Sequence, residues 1–173
     1  MSRFFYIPRP PQTLIRFAYN RHLAPGGYIE LKDILLTPKS DDGTLSRGSP
    51  LCEWANNLAN AARQLGRPLI GNASEYERIL IEEGFEVIEV REHKLPTNLW
   101  PEDETMKAIG YLTSKTTGQE LEAISLARFV HSLGWDVTNA LMSCALARKV
   151  FQSRAVHAYF PYITVLGKKP EAV

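Results

Sequence analysis

Cysteine is scarce in this chain of 173 residues: Cys52 and Cys144 lie far apart, with no CxxC or Cys/His spacing around either. The pattern excludes a sequence-coded zinc site or disulfide framework, and both thiols are expected to be reduced and packed on helix faces. No apolar run approaches the ~20 residues of a membrane span, and MSRFFYIPRPPQ lacks the basic, apolar and small-residue order of a signal peptide, so a cytoplasmic location is expected. An excess of one charge sign is also missing. Lysine plus arginine number 20 against 19 acidic residues, and the basic ones are scattered. That leaves no electrostatic footprint for nucleic acid or an anionic membrane. There is no GxSxG nucleophile elbow, no internal repeat, and no Gly-, Ser- or Pro-rich linker, so a single domain over 1–173 is expected.

What remains is an α/β pattern. RFFYI (3–7) reads as a short strand or apolar plug, and Pro8, Pro10 and Pro11 break the chain before a helix from about Gln12 to Leu23. Gly26-Gly27 closes that helix. YIELKDILL (28–36) carries apolar residues on both alternating faces, which predicts a strand buried by helices on each side. Ser49 and Pro50 read as N-cap and first residue of a helix. Its apolar face is Leu51, Trp54, Leu58, Ala61, Ala62 and Leu65, and Gly66 supplies its stop. Ser74 with Glu77 fits a capping box that opens a short helix ending at Gly84, and FEVIEVREHKLP follows as a strand. A long helical insert comes next. Trp100-Pro101 opens it, Leu121 to Leu133 is amphipathic, and Asp136 caps a helix with Val137, Leu141, Cys144 and Phe151 on one side. VHAYFPYITVLGKKP is the last strand.

Seven stretches in this order carry a family resemblance: HLAPGGYIELKD (22–33), SDDGT (40–44), EWANNLANAARQLGRPL (53–69), LIEEGFEVIEVREHKLP (80–96), LWPEDETMKAIG (99–110), LGW (133–135) and HAYFPYITVLGKKP (157–170). Together they resemble the C-terminal half of the fungal LaeA-like family of class I S-adenosylmethionine-dependent methyltransferases. The resemblance implies an incomplete Rossmann-like methyltransferase sheet, with counterparts of strands five, six and seven and a large helical insert between the last two. In that family strand five lies between strands four and seven. Its cofactor is held by a glycine-rich turn after strand one and an acid ending strand two. A GxGxG turn lets backbone amides and a helix N-terminus approach a nucleotide, and the sequence contains none. The resemblance therefore implies that the cofactor-binding half is missing and that this chain holds no cofactor by itself. An exposed edge along Tyr28 to Leu36 would need covering by the RFFYI segment, a second copy or a different chain, and a homodimer through that edge is the leading expectation.

Two residues are candidates for chemistry. His157 begins the last strand, where the family brings side chains towards its substrate cleft, and an imidazole suits general acid or base work near neutrality. Asp33 lies near the carboxyl end of the strand after Gly-Gly, where ligand sites of open α/β sheets gather. Glu30, three residues earlier on the strand, points to the opposite face and does not pair with it. The bland alternatives are a hydrogen bond to a loop for His157 and a salt bridge or loop cap for the acids. Trp100, Tyr111, Trp135, Tyr159 and Phe160 are aromatics in or beside the insert that could roof a pocket for a flat apolar metabolite, with core packing as the alternative. His22 is expected to cap carbonyls at its helix end, and neither His93 nor His131 has a metal-like partner at useful spacing.

The leading expectation is a methyltransferase-like protein of fungal secondary metabolism that acts without S-adenosylmethionine, cyclising, isomerising or dehydrating a hydrophobic small molecule. The alternatives are the C-terminal part of a methyltransferase whose gene is split or has lost an exon in its assignment, and a non-catalytic regulatory partner.

Overall fold

The computed structural model describes residues 11–71 and 73–171. The RFFYI segment lies outside them. Six helices and three strands follow in chain order: α1 (Pro11–Arg21), β1 (Tyr28–Ile34), α2 (Pro50–Gln64), α3 (Ala73–Glu82), β2 (Glu86–Pro96), α4 (Glu104–Thr116), α5 (Leu121–His131), α6 (Val137–Gln152) and β3 (Tyr159–Lys168). The strand order is β1-β3-β2, so the last strand is central. β1 and β3 are antiparallel. Lys169 N donates to Gly27 O near the start of β1, Leu35 N donates to Pro161 O at its end, and Lys39 and Tyr159 exchange two backbone bonds of 2.9 Å beyond it.

The chain divides into two compact units. One contains α1, α3 and the strand segments up to Asp33, up to Arg91 and from Ile163; the other is Ile34–Gly71 with Glu92–Tyr162. In the first, Ile15 of α1 and Ile79 and Leu80 of α3 are buried, and Gly167 of β3 lets the backbone approach Ile29 and Leu80 closely. Arg16 pairs with Glu83 at 2.7 Å beside them. The expected two-sided burial of β1 is corrected here. Its residues alternate between exposed and half-buried and none is fully buried, the pattern of a strand covered on one face only. The carbonyls at the end of α1 are capped by Lys169, whose Nζ donates to Tyr19 O at 2.7 Å and Leu23 O at 2.9 Å. His22 instead packs its ring against Phe17, so it does not fill the capping role expected of it. α3 begins at Ala73, which puts Ser74 inside the first turn and not at the N-cap.

In the second unit α2, α5 and α6 pack against one another around Leu51, Trp54, Leu58, Phe129, Cys144 and Phe151. α2 starts as the sequence predicts: the Ser49 hydroxyl accepts from Cys52 N at 3.3 Å, with Pro50 at the first position. Leu65 is corrected. It falls at the C-cap, where the backbone leaves helical geometry, and is 53% exposed. Asp136 caps α6 as expected, accepting from Asn139 N at 2.9 Å. The buried row of α6 is Ala140, Cys144, Ala147 and Phe151, while Val137 and Leu141 face solvent. Small residues let this helix approach α2 and α5 closely, and that selects its inner face over the row with the bulkier aliphatics. Asp103, whose side chain accepts from Met106 N at 2.8 Å, caps α4. No helix among the described residues is long and apolar enough to cross a membrane.

Candidate functional site

The loop after β1, the end of β2 and the start of β3 meet in the second unit, and they carry the polar side chains that the fold concentrates. Asp42 is the hub. Its Oδ1 accepts from the Ser40 hydroxyl at 2.7 Å, the Thr44 hydroxyl at 2.8 Å and the Thr44 amide at 3.0 Å. Its Oδ2 lies 2.5 Å from His157 Nδ1. The Ser40 hydroxyl and then the Thr44 donors hold this carboxyl well below the usual carboxylate range. An ionised Asp42 is acceptor-only, so it selects the tautomer of His157 with the proton on Nδ1 and leaves Nε2 with a lone pair. Nε2 has no hydrogen bond among the described residues, and the histidine side chain is 40% exposed. The backbone of His157 is fixed in turn by donation from its N to the Thr44 hydroxyl at 2.8 Å.

Trp100 completes the setting. Its ring stacks on that of His157 with centroids 5.0 Å apart and planes at 21°, while its Nε1 donates to Ala158 O at 2.8 Å. Next to it the Tyr159 hydroxyl donates to Asp41 Oδ1 at 2.8 Å, and Lys94 pairs with the other oxygen of Asp41 while lying over the Tyr159 ring. Burial and the neighbouring Asp41 push the Tyr159 phenol up to about 12, so it remains a neutral donor at physiological pH. Lys94, with help from Tyr159, lowers Asp41. Beneath this layer Asn98 donates to Phe151 O and Ser153 O, and Thr97 N donates to Ala158 O. These bonds fix the turn from β2 into the insert and hence Trp100.

Of the residues singled out from the sequence, the fold brings His157, Trp100 and Tyr159 together. Asp33 belongs to the first unit, where it accepts from Tyr76 OH at 2.8 Å. Burial, and then Asp33, raise the Tyr76 phenol. Glu30 pairs with its strand neighbour Lys32 at 2.8 Å. Tyr111 is 48% exposed on α4 under the Lys115 ammonium. Trp135 packs against Phe129 and lines a separate cleft between α2 and α6, and Phe160 is buried against Phe151. Asp41, Asp42, Thr44 and Lys94 escaped sequence reasoning. The signal for three of them was on view in SDDGT, an Asx-turn composition.

A nucleotide cradle needs free backbone amides at a glycine-rich turn. The Gly26 amide donates to Lys169 O and Pro170 O, the Gly27 amide donates to Ala24 O, and a Cβ on Gly26 would meet the Glu171 carboxylate. Both amides are spent on closing a helix-to-strand turn. This glycine pair therefore closes a turn and offers no cradle for a nucleotide.

Comparison with known proteins yields no match to a family model. Individual relatives are clear. The chain is 35% identical over 150 residues to the probable methyltransferase tdiE of Emericella nidulans, covering 87% of this chain and 47% of that protein. It is 30% identical over 157 residues to the methyltransferase pytC of Aspergillus terreus, covering 91% and 48%. It is a relative of fungal methyltransferases. The secondary metabolism regulator laeA of Monascus pilosus is 33% identical over 149 residues, covering 86% of this chain and 40% of the regulator. The chain is thus a homologue of the LaeA-like methyltransferases, and it spans about half the length of the curated relatives it matches.

Proposed function

We propose that this chain is the substrate-side, C-terminal half of a LaeA-like methyltransferase fold and that its own chemistry is proton transfer by His157 on a hydrophobic small molecule of fungal secondary metabolism. The observation that carries this reading is the Asp42–His157 pair stacked on Trp100, at the edge of the sheet where β1 and β2 end. Asp42 fixes the ring and stabilises the imidazolium that forms when Nε2 takes a proton. Trp100 adds a flat apolar wall, and the neutral Tyr159 phenol is a nearby polar group. The order β1-β3-β2, with α4 to α6 between β2 and β3, supports reading the strands as the fifth, seventh and sixth of a methyltransferase sheet. Cyclisation, isomerisation and dehydration need no group beyond such a positioned acid or base.

A second reading, part of a methyltransferase whose donor is held by residues outside this chain, is favoured by the half-length match to the relatives. One experiment separates the two. In a fungus carrying the gene, the chromosomal copy is changed to His157→Gln and extracts are compared by mass spectrometry at equal protein level. Accumulation of a precursor with the product's own mass, or one water heavier, supports proton transfer alone. A precursor lighter by one CH2 supports methyl transfer, and unchanged extracts overturn His157 as the reacting group under either reading.

A further inference from the structure

The cleft beside Trp135 shares no residue with the His157 centre. It has a volume of about 500 Å3 and opens between the N-terminal halves of α2 and α6. Trp135, Met142 and Leu146 give it an apolar wall, and Met142 and Leu146 are exposed although both are large and hydrophobic. Glu53, Asn57 and Asn139 supply the polar groups. The charges are one-sided. Glu53 and Asp136 are the charged residues of the lining, and no lysine, arginine or histidine joins them. The two helix N-termini oppose them with about +0.5 of a charge each, so the two carboxylates leave the cleft negative by about one charge. The Asp136 carboxylate is engaged by Asn139 N and by the Asn139 side chain. Glu53 is exposed, and its carboxylate has no hydrogen-bond or ion-pair partner among the described residues, which leaves it available to a ligand in the cleft.

We infer that this cleft binds an organic cation: an amine carried on an aromatic or branched apolar body, with the ammonium at Glu53 and the body against Trp135, Met142 and Leu146. The aromatic face adds to the preference for a cation, since its quadrupole attracts positive charge. An anion of the same shape is rejected by the field, and a neutral analogue keeps only the apolar contacts.

The test is an NMR titration of the uniformly 15N-labelled chain, following the Gly134 amide and the Asn57 and Asn139 side-chain amides. Three probes of one shape are used: 3-phenylpropylamine, 3-phenylpropanol and 3-phenylpropanoate. The expected order of affinity is amine, alcohol, carboxylate, with at least tenfold between the first and the last. Glu53→Gln is expected to bring the amine down to the alcohol while leaving the alcohol unchanged, and Leu146→Ser to weaken amine and alcohol alike. Equal affinity for the three probes, or no shift at these three reporters, overturns the proposal. So does an amphipathic helical peptide that shifts the same amides when the amine does not, which would make the face a protein-docking surface.

Discussion

Gly110 sits in the middle of α4, where alanine would ordinarily be favoured over glycine by about 0.8–1 kcal/mol. A Cβ there would lie 2.0 Å from Asn98 O and 2.8 Å from Asn98 C, both backbone atoms. Overpacking of this kind costs about 1–3 kcal/mol when side chains can adjust. Here the obstacle is a carbonyl whose residue is pinned on both sides. The Asn98 side-chain amide donates to Phe151 O at 2.9 Å and Ser153 O at 3.1 Å, and the preceding Thr97 N donates to Ala158 O at 3.0 Å. Retreat would loosen two of these bonds, each worth about 1 kcal/mol. Set against the propensity gain, Gly110→Ala is expected to destabilise by about 2–4 kcal/mol. The assay is urea unfolding, read as a lower midpoint at unchanged slope. Gly48→Ala is the control: nothing lies within 4 Å of its Cβ position, and its expected change is within about 0.5 kcal/mol. A Gly110→Ala variant as stable as the parent, or more so, would refute the seating of α4 on the β2 turn.

Two further variants probe the core and the site. Ser125→Ala removes the buried hydroxyl that accepts from Trp54 Nε1 at 2.6 Å and leaves that N–H without a partner, so a loss of about 1–3 kcal/mol is expected in the same unfolding assay. Asp42→Asn tests linkage. The folded Asp42 carboxyl titrates below its unfolded value, so its contribution is present above the ordinary carboxylate range and is lost as pH falls through that range towards the folded value. Melting temperature plotted against pH is therefore expected to fall less steeply below about pH 4 in Asp42→Asn than in the parent. Parallel curves would mean that Asp42 is not held ionised by its neighbours.

Much of the fold was legible because local signals agreed with one another. α2 is the clearest instance: cap, proline, a three-and-four apolar row from Leu51 to Ala62 and a terminating glycine at φ +68° occur at their expected places, and only Leu65 falls outside the buried face. α6 misled for a physical reason. Its bulkiest aliphatic residues mark the exposed row, whereas its contact face is built from Ala140, Cys144 and Ala147, whose value lies in close approach and not in hydrophobicity. β1 misled because an apolar run does not say how many layers cover it. In the site, His157, Trp100 and Tyr159 could be named from their places beside the last strand and the insert. Their acidic partners could not, since Asp42 is 115 residues from His157 and Asp41 is 118 from Tyr159, and only the sheet brings them together.

The loop that positions Asp42 also bears on what His157 is for. Ser40 and Thr44 supply three donors to one oxygen of that carboxylate, all within the five residues Ser40 to Thr44, so the turn is closed by its own residues. The histidine binds the other oxygen and is not needed to satisfy the loop. Trp100 is likewise anchored independently, through its indole N–H on Ala158 O. A residue kept for structure would be expected to bridge elements that nothing else joins; this one is added to a loop and a ring that already have partners, with one ring nitrogen making no hydrogen bond among the described residues. That division of labour is what a proton-transfer group requires, because its own charge can change without unmaking the scaffold that aims it. His157→Gln should accordingly leave the unfolding midpoint close to that of the parent, and a loss as large as that of Gly110→Ala would instead make the histidine a structural strut.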